Sequence, residues 1–97
     1  MTAVDVVDVQ TAGQQLEALA GDLARRGFRA YLISNGQVPG VRVVNPAVTR
    51  LSEDVWAAPA EDASWWFWWS WAERITGIED VDAAAFKIAH VLSPCHD

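Results

Sequence analysis

The sequence predicts an α+β fold: a two-layer sandwich in which an antiparallel four-stranded sheet carries an N-terminal and a C-terminal helix on one face, in the order α-β-β-β-β-α. Three observations predict it. Apolar residues recur with helical spacing near both ends of the chain. Between them lie four short runs rich in β-branched and aromatic residues, separated by Gly, Pro and Asn turn signals. The connections are short, which favours antiparallel neighbours, because a parallel pair needs a crossover of about a dozen residues. Two helices with one apolar stripe each are covered together when both lie on the same side of the sheet.

The elements follow in order. Residues 1–9 alternate only weakly, Val4, Val6, Val7 and Val9 against Asp5 and Asp8, and read as a loosely ordered lead-in. Leu16, Leu19, Ala20 and Leu23 form the stripe of the first helix. Thr11 and Gln14 fit a capping box at its start. Arg25 and Arg26 suit the negative end of its dipole, and Gly27 stops it. The strands are read at 28–33, 41–44, 53–58 and 65–72. Asn35-Gly36 is a turn signal, with Pro39 and Gly40 lengthening that connection. Asn45-Pro46 ends the second strand and Pro59 the third, with a loop over 46–53 and a turn over 59–64. Gly77 breaks the pattern, and Asp80 or Asp82 caps a second helix whose stripe is Val81, Ala85, Ile88, Ala89 and Leu92. Pro94 closes that helix, and residues 93–97 are a tail. The whole chain, 1–97, reads as one domain.

Charge narrows the partners. The net charge is −6, with 13 acidic residues against 7 Lys and Arg. Duplex nucleic acid is held mainly by basic side chains that displace counterions, and anionic membranes select for the same residues. Neither is expected as a partner. The most apolar run, Trp65 to Trp71, falls far short of the roughly 20 residues that a spanning helix needs. Cys95 is the single cysteine, so no internal disulfide can form, which agrees with a reducing compartment. The N-terminal residues show no basic leader before an apolar run. The expected location is cytoplasmic.

Sites of known chemistry are not legible. The chain has no Gly-rich phosphate loop and no Gly-x-Ser-x-Gly elbow. Ser52 and Ser64 read as cap and turn residues, and Ser70 has no His or acid placed to activate it. His90 reads as a solvated helix residue. Cys95 and His96 are adjacent, but a metal wants three or four converging ligands. The acidic pairs Glu53-Asp54, Glu61-Asp62 and Glu79-Asp80 fall where caps and loops explain them. The expectation is a non-enzymatic protein with no cofactor, no metal and no catalytic residue.

The informative feature is the distribution of the six Trp. Side chains alternate across a sheet. Phe28, Ala30, Leu32, Val41 and Val43 form a set that meets the helices, and Arg29, Tyr31, Ile33, Arg42 and Val44 form the opposite set. In the fourth strand Trp65, Phe67, Trp69 and Trp71 alternate with Trp66, Trp68 and Ser70. Both sets are aromatic, so helices on one face cannot hide them all. A one-residue slip would exchange the sets, and which one faces the helices stays open. The outer face then gathers Trp66, Trp68, Arg29, Tyr31 and Arg42, with Trp56 beside them. A Trp side chain buries about 200 Å², worth several kcal/mol at about 25 cal/mol per Å². A patch of such rings marks an interaction surface, and Trp, Tyr and Arg are the residues enriched at binding hot spots.

The expected function is a protein-interaction module that presents this aromatic–arginine face to a protein partner or to a second copy of itself. The blander reading covers the face with the N-terminal segment or the 46–53 loop, or shields the rings by stacking Arg29 and Arg42 on them. A second functional reading is a small-molecule binding protein with an aromatic-lined pocket between helices and sheet. A single-stranded nucleic-acid platform would also use aromatics, but needs a positive groove that an acidic chain lacks.

Leu51-Ser52-Glu53-Asp54-Val55-Trp56 and the block from Trp65 to Ile75 resemble small proteins of about this length, without an assigned activity, from actinobacterial-type genomes. Abundant Ala and the preference for Arg over Lys fit a GC-rich bacterial source. The resemblance implies a cytoplasmic accessory role and carries no site to transfer.

Overall fold

Helix α1 spans Thr2–Arg25. The structure, a computed structural model, describes residues 2–36 and 38–93, with side chains from residue 10 onward. Residues 2–9 continue the helix rather than leading into it, and Thr11 lies inside it instead of capping it. Neither Gly nor Pro stands between Val4 and Thr11 to stop the helix. Ala12, Leu16, Leu19 and Leu23 are buried along one stripe. The helix ends as expected at Gly27, whose φ is +97°. Phe28 N donates to Leu23 O at 3.0 Å and Gly27 N to Ala24 O at 3.1 Å, the bond pattern of a Schellman cap.

Five strands follow, each antiparallel to the last, in a simple meander: β1 (Arg29–Asn35), β2 (Val38–Val44), β3 (Ser52–Pro59), β4 (Trp65–Trp69) and β5 (Arg74–Gly77). Helix α2 (Val81–Val91) completes the chain. The α+β class and the antiparallel sheet agree with the sequence reading, but the sheet has five strands and not four. The run read as one strand over 65–72 is a strand plus a tight turn, and a further strand follows it.

Tight turns explain the extra strand. Trp69 N donates to Glu73 O at 2.8 Å and Ala72 N to Trp69 O at 3.0 Å, while Ala72 takes a φ of +66°. The β3–β4 turn repeats this construction: Ala60 N to Ser64 O, Ala63 N to Ala60 O, and Ala63 at φ +70°. A turn followed by a left-handed residue is a common hairpin closure that normally takes Gly. With Ala in that place the composition of the second turn, Ser70-Trp71-Ala72, looks like strand. Asp62 steadies the first turn by accepting from Ser64 N at 3.0 Å and Ser64 Oγ at 2.6 Å. These bonds hold its carboxyl below the usual carboxylate range.

Pro39 and Gly40 belong to β2, and the β1–β2 connection closes directly between Asn35 and Val38. Pro39 is tolerated because β2 pairs with β3 only from Gly40 onward. The β4–β5 ladder shifts between Trp66 and Trp68: these pair with Gly77 and Arg74, leaving one extra residue on β5. Both residues of that bulge, Ile75 and Thr76, are buried.

Both helices lie on the same side of the sheet. Helix α1 packs over β1, β2 and β3, α2 over β5, and the helices pack on each other. Leu16, Leu19, Leu23 and Ile88 from the helices meet Val41, Val43, Val55, Ala57, Phe67 and Trp69 from the sheet in one core. Asp80 caps α2 by accepting from Ala83 N at 3.3 Å. Asn45 ties the β2–β3 loop to the same layer: its Nδ2 donates to Leu92 O at 2.8 Å while its Oδ1 accepts from Ala47 N at 2.9 Å. Among the described residues, no helix is long and apolar enough to cross a membrane. Pro94 and Cys95-His96 lie outside the described residues.

Candidate functional site

The register decides which aromatic set faces which way. Val55, Ala57, Phe67 and Trp69 are buried against the helices, so Trp56, Trp66 and Trp68 point to the other side. The pairings Ile33↔Gly40, Gly40↔Trp56, Trp56↔Trp68 and Trp68↔Arg74 set five residues in one row across all five strands of that outer side. The next row holds Tyr31, Arg42 and Asp54. On the opposite flank Ala58, Trp66 and Gly77 line up.

Each ring is fixed by its neighbours. Trp56 lies directly on Gly40: a Cβ there would sit 2.6 Å from the indole and 2.6 Å from Val55 O. Trp68 Nε1 donates to Ala58 O at 2.9 Å, and Trp66 Nε1 to Ser64 Oγ at 2.9 Å. With both indole N–H groups bonded inside the sheet face, the rings lie as half-buried plates. The Arg74 guanidinium sits over both, 4.9 Å from the Trp66 ring and 5.5 Å from the Trp68 ring. It also donates to Glu61 at 2.9 Å. A cation this close to an aromatic face is attracted by the ring quadrupole.

The Arg residues named from sequence behave differently from one another. Arg42 does not stack on the rings. It forms a forked pair with Asp54 across the β2–β3 ladder, Nε to Oδ1 at 2.8 Å and Nη2 to Oδ2 at 3.1 Å. That hydrogen bond and charge hold the guanidinium more firmly protonated. An open depression of about 430 Å³ is lined by Arg42, Ser52, Glu53 and Asp54. Tyr31 stands beside Arg42 and is 49% exposed. Arg29 is on the same side but opposite Val44, two rows from Trp56. The structure thus brings Tyr31, Arg42, Trp56, Trp66 and Trp68 onto one surface and leaves Arg29 at its corner.

Arg74 is the member that sequence reasoning missed as part of the face. Its place is set by the β4–β5 turn, where Trp69 N donates to Glu73 O and the next pair puts Arg74 opposite Trp68, and the sequence reading assigns no strand to 74–77. Gly40 was missed as a member of the row because it was read as part of the β1–β2 connection, while Ile33 lies in the row on the side that alternation gives it with Arg29 and Tyr31. Trp71, grouped by alternation with Trp65, Phe67 and Trp69 in the fourth strand, is in the turn. It stacks on Trp69 with ring centroids 4.9 Å apart and is 50% exposed. Leu32 was assigned to the helix-covered set and is 55% exposed.

The loop and the N-terminal segment do not lie across the face. Residues 2–9 are helix, and the β2–β3 loop turns toward α2 through Asn45, with Leu51 packed on the core. Between the layers, Phe67, Leu16, Leu19, Leu23 and Ile88 are fully buried. Among the described residues no three His, Cys, Asp or Glu side chains are placed to share a metal ion. Comparisons with family models, curated proteins and solved structures find no match to this chain.

Proposed function

We infer that this chain is a non-enzymatic protein-interaction module. It presents the outer side of its sheet, with Trp56, Trp66, Trp68, Tyr31 and Arg42 in a frame of ion pairs, to a protein chain. The observation that carries this reading is the row Ile33–Gly40–Trp56–Trp68–Arg74, an aromatic plate on the side that neither helix covers. The indole N–H groups of Trp66 and Trp68 are already bonded within the chain, so a partner meets flat apolar rings that lose little side-chain freedom on binding. The flanking Arg42–Asp54 and Arg74–Glu61 pairs give that surface a charged rim on which a partner's polar groups can register.

The test compares surfaces. The immobilised chain captures binding proteins from the cytosol of its source, alongside Trp66→Ser plus Trp68→Ser on the face and Phe86→Ser on α2. The reading predicts that the captured set is lost with the face variant and kept with the helix variant, while both retain the wild-type circular dichroism. Loss with Phe86→Ser alone would move the function to the helix layer.

A further inference from the structure

The two edges of the sheet are built differently. Strand β5 is four residues long and bulged, and the Glu79 side chain lies against its Gly77. Short, bulged and charged edges resist pairing with another chain. Strand β1 is seven residues long and regular, and among the described residues it pairs only with β2. It exposes Tyr31 and Leu32 by about half, at 49% and 55%. A long, regular, apolar edge of this kind is a template for another strand.

The hydrogen-bond phase of this edge follows from its hairpin. Asn35 pairs with Val38 across a two-residue connection, and the closing pair of such a hairpin exchanges both hydrogen bonds. Counting back by twos, Ile33, Tyr31 and Arg29 also bond to β2. Ala30, Leu32 and Ser34 therefore aim their N–H and C=O groups away from the sheet. Pro39 agrees with this phase, since its position points toward the β3 side, where no partner reaches it.

We propose that β1 is the contact of a homodimer, in which two copies pair antiparallel about a two-fold axis at Leu32 and merge their sheets into one. Self-complementarity selects a second copy as the occupant. With the axis at Leu32, that residue faces its own equivalent, Ala30 faces Ser34, Tyr31 faces Ile33 and Arg29 faces Asn35. Every outward-bonding residue of one copy then meets an outward-bonding residue of the other, and each such pair exchanges two hydrogen bonds. Tyr31 against Ile33 is an aromatic–β-branched cross-strand pair, a stabilising combination. Arg29, the only charge on the strand, meets a neutral amide, so no like charges are opposed. Leu32, on the helix side but uncovered, gains its own equivalent as a neighbour. Helix α1 lies over β1 and β2, so the same axis sets the two α1 helices side by side. The dimer leaves the outer face open and doubles its width, so it stands whether or not that face binds a partner.

The experiment is absolute mass by light scattering from micromolar to millimolar concentration, with reductant present. The wild type is expected to rise to twice the chain mass of 10.6 kDa. Leu32→Lys and Ser34→Pro should stay at the single-chain mass with unchanged circular dichroism. The proline replaces an N–H that points away from β2, so the fold does not need it, and it stands as the second variant should the lysine unfold the chain. In a Cys95→Ser background, Leu32→Cys should oxidise to a covalent dimer, while Ala30→Cys, whose equivalents lie several residues apart across the axis, should not. A wild type that stays monomeric throughout would overturn the proposal. So would a dimer that survives both edge variants and dissociates only with Trp66→Ser plus Trp68→Ser.

Discussion

Gly40 shows how one residue shapes the site. A glycine within a strand normally weakens it, but here the missing side chain is the floor on which the Trp56 indole rests. Adding a methyl group would press on the ring and on Val55 O together, and only the ring can move. Gly40→Ala should therefore destabilise the protein by about 1–3 kcal/mol, the usual cost of overpacking. Denaturant unfolding would measure the loss, and Trp emission would shift as the displaced ring meets water. An unchanged stability and spectrum would mean that Trp56 does not rest on the backbone of β2. Arg74 makes the complementary point. Read by type, it is one more surface charge. Placed opposite Trp68 by the β4–β5 turn, it becomes the cation over two rings. No sequence spacing announces that, because the turn before it has Ala72 where such a closure normally takes Gly.

Elements whose signal is hydrophobic period were legible. The stripe of α1, the stripe of α2 with Asp80 as one of two cap candidates, and the alternation in β2 and β4 all follow from residue pattern and agree with the structure. The hairpins were legible only where Gly, Asn or Pro marked them. The β3–β4 and β4–β5 turns put Ala63 and Ala72 in the left-handed region, which costs an L-residue about 1–2 kcal/mol. Those alanines concealed the fifth strand. They also store strain that a substitution can release. Ala63→Gly and Ala72→Gly should each stabilise the chain by about 0.5–1 kcal/mol, after the extra entropy of the unfolded glycine is deducted. Thermal unfolding would show each as a rise of a few degrees in Tm. A fall at either position would contradict the left-handed assignment there. The start of α1 escaped notice for a different reason: Val and Asp are poor helix formers, and the stretch from Val4 to Val9 alternates much as a strand does.

At the scale of the whole molecule, the architecture spends both helices on one side of the sheet. A meander of five strands has two faces and two edges, and the helices cover one face. The bulge and Glu79 blunt one edge. What remains is an aromatic face framed by ion pairs and an apolar strand edge. The sequence could show that both faces were aromatic, but not which one the helices took. That depended on the register linking Gly40, Trp56 and Trp68, set by turns whose lengths the composition disguised. The central claim is that the remaining face meets a protein.

The most direct measurement is site-specific photo-crosslinking in the cytosol of the source cells. A photoreactive side chain would replace Arg42, which lies on the outer face one strand in from the β1 edge, and in a second preparation Phe86, exposed on α2. The account predicts a discrete protein adduct from position 42 and none from position 86. An adduct from position 86 alone, or from neither, would contradict it.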